Sequence, residues 1–174
     1  TCLIAKLPAG GPAAKLPQGD NGWNANCITG TSLDVGNKLK NVFLGQVITL
    51  GLNLRLDTGL GDIQLEGTDM TTYSLIASDD GLCATDDDII DEGSILTSHI
   101  PSAVLNTLDN QYNGDRSIYN LYHLANRVIG GEVFAGLSIS NVNKAVSSMN
   151  EGFDECRALG GFEDRQFTEF DNAD

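Results

Sequence analysis

Between Ser32 and Leu56 apolar side chains recur at helical spacing on two stripes at once. One stripe runs Leu39, Phe43, Val47, Leu50 and Leu54, and the other runs Val42, Leu44, Ile48, Leu52 and Leu56. A helix apolar around most of its circumference has to be enclosed by other elements. The spacing therefore predicts a central buried helix over 32–56, capped at Ser32. Gly45 and Gly51 fall inside it, where each costs about 1 kcal/mol relative to Ala. Close approach of another element is the expected compensation. Gln46, Asn53 and Arg55 interrupt the most apolar window, Val42 to Leu56, which is too short and too polar to cross a bilayer.

Three further helices are expected around this axis. Pro101 suits a first helical turn, followed by Val104, Leu105 and Leu108 and an end near Asn113-Gly114. Asp115 or Ser117 caps the next, over 117–130, with Ile118, Leu121, Ala125 and Val128 inward and Gly130-Gly131 as the stop. The last runs from Ser138 or Ser140 to about Arg157, closed by Gly160-Gly161. Ile63-Gln64-Leu65-Glu66 and the stretch around Tyr73, Leu75 and Ile76 read as short strands, and Asp79 to Gly93 as surface loop. The expected fold class is mainly α: the central helix 32–56, three packing helices, short β elements and long irregular loops. The expected organisation is an extended N-terminal segment over 1–30 packed on the domain, a helical domain over 31–160 and an acidic tail over 161–174. Leu3, Ile4, Leu7, Leu16 and Trp23 are the expected anchors of the first segment.

Charge narrows the function. Twenty-four acidic residues against ten basic ones give a net charge of -14. Such a surface repels phosphate backbones and anionic lipid headgroups, so neither nucleic acid nor membrane insertion is expected. Cys2, Cys27, Cys83 and Cys156 form no CxxC pair and lie far apart. An even, dispersed count reads as two disulfides in an oxidising compartment, with three connectivities open. The chain opens at Thr1-Cys2 without a signal peptide, as a processed product or an excerpt of a longer polypeptide would.

Catalytic signatures are weighed and set aside. Asp57-Thr58-Gly59 has the tripeptide of aspartic proteases, but a single copy leaving a helix reads as a turn. Gly136-Leu137-Ser138-Ile139-Ser140 lacks the second glycine of a nucleophile elbow, and its serines suit a helix cap. His123 is expected to be a partly buried structural histidine. The four tyrosines suggest no glycan platform. No cofactor is expected, with calcium the one ion whose ligand chemistry is on offer. Asp79, Asp80, Asp86, Asp87 and Asp88 supply hard oxygens, and Asp57 with Asp62 forms a second candidate set. No EF-hand spacing accompanies them, and a solvated acidic loop is the preferred reading.

Several stretches in order resemble a known module. Leu7-Pro8-Ala9-Gly10-Gly11 with Ala13-Ala14-Lys15-Leu16 is similar to its "LPxGGxxxAL". Leu44 to Asp57 resembles its long helix "LAGQLVALTLNVxFD", and Leu60-Gly61-Asp62-Ile63 its "LGDL". Ser117 to Gly131 resembles "TVAQVLAEANxVLGG", and Ser140 to Cys156 resembles "SxxQLNxVVxAINENFxxC". The pattern, covering roughly 7–157, is that of an uncharacterised helical module recurring in large secreted surface proteins of Bacteroidota-type bacteria. The resemblance implies secretion, often by the type IX route, in adhesins and gliding-associated filaments, and no catalytic residues. The function expected is a non-enzymatic extracellular structural or adhesive module at the cell surface. Its partners would be neighbouring subunits or other domains of a larger surface protein, with a homo-oligomer or filament as the assembled form. The alternative is a secreted hydrolase or glycan-binding accessory domain.

Overall fold

The computed structural model describes residues 5–17, 34–35, 38–76, 89–155 and 157–162. Along them run β1 (Asp34–Val35), β2 (Lys38–Leu39), α1 (Val42–Leu56), a 3-10 turn (Leu60–Asp62), β3 (Asp69–Ile76) and β4 (Ile89–His99). There follow α2 (Ser102–Gln111), α3 (Ile118–Ile129), α4 (Ile139–Gly152) and β5 (Arg157–Phe162). β3 is the middle strand of an antiparallel sheet ordered β4-β3-β5, and β1 pairs with β2 apart from it. The mainly α expectation is corrected: the fold mixes four helices with antiparallel sheet among the described residues.

The first helix begins ten residues later than its apolar spacing predicts. Asn41 is extended and its side chain accepts the Leu44 N–H at 3.2 Å, so it, rather than Ser32, is the N-cap. Val35 and Leu39 before it belong instead to the β1–β2 ladder, with Asp34 opposite Leu39 and Val35 opposite Lys38. Only the first half of α1 is enclosed. Phe43 and Leu50 are fully buried, whereas Leu52 is 41% exposed and Leu56 86%. The second stripe therefore emerges at the surface toward its C-terminal end.

Residues 5–17 form a strap across one end of the helical layer. The fully buried Asn41 side chain holds it from both sides, donating to Ala14 O at 2.8 Å and accepting from Ala14 N at 3.3 Å. Gly10 N donates to Leu39 O, and Leu16 N to Ile129 O at 2.8 Å. Lys15 Nζ reaches Gly131 O, and Lys38 Nζ reaches Ala5 O and Leu7 O. The close approaches expected at both α1 glycines are present. A methyl built on Gly45 would overlap the Ala9 methyl, and one on Gly51 would meet the Tyr122 ring at 2.9–3.1 Å. Leu7 and Leu16 pack against the core as expected, while Leu3, Ile4 and Trp23 lie outside the described residues.

The later helices start where their caps place them. Pro101 precedes α2, Ser117 Oγ accepts from Asn120 N ahead of α3, and Ser138 Oγ accepts from Asn141 N ahead of α4. Gly130 caps α3, and Gly131 takes a positive φ of 109°. α4, however, stops at Gly152, short of Arg157. Glu155 turns the chain with a φ of 51°, and 157–162 then extend as β5. Gly160-Gly161 is thus strand, not helix stop, because the Tyr73 ring of β3 lies where a Gly160 side chain would stand. Residues 63–66 do not make a strand of a sheet either. They lie against the start of α3 through a single Gln64–Ser117 bridge, with Ile118 N donating to Ile63 O and Leu65 N to Arg116 O.

One face of the sheet rests on α4. Met70 is fully buried beside Gly152, which has no room for a side chain, and Ser148 Oγ donates to His99 O at 3.2 Å. Among the described elements α4 is the helix that meets all three strands.

Candidate interaction surface

The hairpin is built in two paired runs with an irregularity between them. Asp69 to Thr72 pair with His99 to Leu96, and Ser74 to Ile76 pair with Asp91 to Ile89. One residue of β3, Tyr73, therefore faces four of β4, so the outer strand bulges over 92–95. The bulge is fixed locally: Ser94 Oγ accepts the Ser74 N–H and donates to Asp91 O, both at 2.7 Å. Gly93 N donates to the Asp91 carboxylate at 3.1 Å.

Arg157 locks the bulge from the opposite strand. Its guanidinium crosses β3, donating to Thr72 Oγ1 at 3.0 Å, Thr72 O at 2.9 Å, Ser74 Oγ at 2.8 Å, and Ser94 O. A planar donor fork suits this task, since it can satisfy several acceptors spread along one plane. At the hairpin's base Asp69 and His99, directly opposed in register, meet through Oδ1 and Nδ1 at 2.8 Å.

Apolar side chains stand in solvent along this arm. Ile76 and Ile89 form the last cross-strand pair among the described residues, 55% and 66% exposed, and Ile95 at the bulge is 58% exposed. Just inside them Leu75 pairs with Ile90 on the other face, both half-buried. The described end of the arm is thus apolar on both faces. The outer edge of β4 has no strand partner among the described residues.

A second exposed group lies on α3. Tyr119 and His123 meet edge to face with ring centroids 4.5 Å apart, and Tyr122 joins them at 6.1 Å. His123 is exposed, not partly buried as expected, because its helical position points away from the Leu121–Leu124–Ala125 face. The rings pack against one another's edges, and Tyr122 is further occupied in covering Gly51.

The remaining expected site residues fall as follows. The calcium candidates Asp79, Asp80, Asp86, Asp87 and Asp88, and the cysteines Cys2, Cys27, Cys83 and Cys156, all lie outside the described residues. Among the described residues no cluster of three metal-ligating side chains occurs. Asp57 caps the turn after α1, accepting Gly59 N at 2.8 Å and Leu60 N at 3.3 Å, which agrees with its reading as a turn residue. Asp109, Asp115 and, beside Arg127, Glu132 are held below the ordinary carboxylate range by the groups around them. Asp109 is forked onto Arg116 at 2.6 and 2.7 Å, and Asp115 accepts the Ser117 N–H and a Gln64 amide N–H. These tie α2 and the 63–65 segment to the start of α3 and are structural. No helix among the described residues is long and apolar enough to cross a membrane. Sequence reasoning missed Arg157, Ser94 and the exposed isoleucines. The adjacent apolar pairs Leu75-Ile76 and Ile89-Ile90 flanking an aspartate-rich connection were the signal available.

Comparison with known proteins finds no matching family model, no matching curated protein and no matching solved structure.

Proposed function

We propose that this chain is a non-enzymatic structural or adhesive module of a bacterial surface protein or filament, acting outside the cell through contacts with neighbouring protein subunits. The observation that carries the reading is the described part of the β3–β4 arm, which leaves Ile76, Ile89 and Ile95 more than half exposed. Clustered exposed apolar side chains of this kind mark protein contact sites. The order of motifs that resemble those of the secreted surface module supports the same reading, as does a net charge of -14, which favours solubility outside a partner complex. Calcium, if bound by the Asp79–Asp88 stretch, would stabilise the folded form by mass action. The experiment is direct imaging of the native assembly with cross-linking and mass mapping. Contacts mapping to this chain within a filament or coat support the proposal. A free monomer with no neighbour refutes it.

A second reading, a glycan-binding accessory domain, draws on the exposed Tyr119–His123 pair. Calorimetric titration with cell-wall oligosaccharides, repeated on Tyr119→Ala, separates it from the first.

A further inference from the structure

We propose that Asn113 is a site of spontaneous covalent modification: its side-chain amide converts through a cyclic imide to aspartate and isoaspartate, at a rate that the corner between α2 and α3 holds down. The corner itself calls for the residues that make this chemistry easy. Just past the end of α2, Asn113 takes a φ of 54° and Gly114 a φ of 83°. Two left-handed residues in succession favour Asn, which tolerates that region, and Gly, which has no Cβ to clash there. The missing Cβ also leaves the Gly114 nitrogen open to approach the Asn113 side chain. Both residues are exposed, and a methyl built on Gly114 would meet no neighbouring atom within 4 Å, so nothing covers the pair sterically.

The step needs only water. The Gly114 nitrogen gives up its proton to solvent base and attacks Asn113 Cγ. The N–Cγ bond forms, the Cγ–Nδ2 bond breaks, and Nδ2 takes up a proton and leaves as ammonia. Water then opens the imide on either side: cleavage of N–Cγ yields aspartate, and cleavage of the bond to the main-chain carbonyl carbon yields isoaspartate. The guard is hydrogen bonding, not burial. The Gly114 N–H, whose proton must leave, donates to Asp109 O at 3.1 Å, closing α2 as a Schellman turn does, and Asp115 N donates to Tyr112 O at 3.0 Å. The Asp109 carboxylate, forked onto Arg116 at 2.6 and 2.7 Å, ties the two sides of the corner together. Attack waits for these bonds to open, so the rate falls with the fraction of time the corner is open. Isoaspartate adds a carbon to the main chain inside both hydrogen-bonded rings. Its formation therefore undoes the corner, and with it the seat of Asp115, whose carboxylate receives the Ser117 N–H and the Gln64 amide at the start of α3.

The test incubates the whole chain in mildly alkaline buffer, folded and in urea, and maps the products by mass spectrometry of proteolytic peptides. Mapping is site by site because Asn21-Gly22 is a second Asn-Gly pair in the sequence. Expected in urea are aspartate and isoaspartate together at position 113, with isoaspartate in excess. In the folded chain the same products should form about tenfold or more slowly. No conversion in urea, aspartate without isoaspartate, or equal rates in the two states would overturn the inference. The consequence for the corner is read separately, by amide exchange at Gly114, Asp115 and Ile118. The isoaspartate form, isolated by charge from folded chain aged to partial conversion, is compared with Asn113→Asp, which carries the same charge on an unaltered main chain. Exchange should quicken about tenfold in the isoaspartate form and stay near the native rate in Asn113→Asp. Native exchange in the isoaspartate form, or equal quickening in both, would overturn the claim that the inserted carbon undoes the corner.

Discussion

Replacing Gly45 by Ala sets two effects of known size against each other. In an isolated helix the change stabilises by about 1 kcal/mol, through lower backbone entropy in the unfolded chain. Here the new methyl overlaps the Ala9 methyl of the strap, and the strap is tied down by Asn41, Leu39 and Ile129 on either side. Overpacking of that kind costs about 1–3 kcal/mol. Gly45→Ala should therefore be neutral to destabilising, by up to about 2 kcal/mol. In an Ala9→Gly background the overlapping atom is gone. The nearest remaining atoms of residue 9 are Cα and N, at 3.5 and 3.6 Å, which is ordinary contact. There the same substitution should stabilise by about 1 kcal/mol. The sign reversal, a coupling of about 1–3 kcal/mol, is read from a double-mutant cycle by urea unfolding followed by circular dichroism. Equal stabilisation in both backgrounds would mean that the strap does not lie on α1 as described.

Other consequences can be checked independently. Asn41→Ala removes the α1 cap and leaves Ala14 N–H and C=O without their buried partner, so the loss should be about 2–4 kcal/mol in the same urea assay. Arg157→Lys cannot replace a fork that serves Thr72, Ser74 and Ser94 together, and amide exchange over 91–96 should quicken well before global stability falls. Asp109 and Asp115 titrate below the ordinary 3.8 in the folded chain, so their stabilisation is complete above that value and fades as the pH falls through the depressed folded values. Urea midpoints taken toward about pH 2 should therefore drop, and Asp109→Asn should shallow the drop; an unchanged slope would count against the Arg116 pairing as its source.

Much of the helical layer was legible because its signals are local. Ser117, Ser138 and Pro101 stand at helix starts, Gly130-Gly131 at a stop, and the buried faces of α3 and α4 follow the expected spacing. The sheet was not legible in the same way. β4 contains Asp91-Glu92-Gly93-Ser94, which reads as loop in sequence and is a bulge whose order depends on Arg157, sixty-odd residues away. β5 contains Gly160-Gly161, which reads as a helix stop, whereas Gly160 is there to admit the Tyr73 ring. The early part of the 32–56 stretch misled for a related reason. Its apolar residues keep helical spacing, but Gly36-Asn37 is also a two-residue hairpin signal, and Asn41 three residues ahead of Leu44 is a cap. The candidate surface was the least legible part, since Ile76 and Ile89 are apolar residues in strands, which the sequence pattern assigns to a core, and yet both are exposed.

Hydrogen exchange over Ile89–His99, compared between the isolated chain and its native surface assembly, tests the contact-module account most directly. The account predicts that these amides, measurable in the free chain, slow markedly in the assembly while those of α2 and α3 are unchanged. Identical exchange in both states, with the chain behaving as an independent monomer, would contradict it.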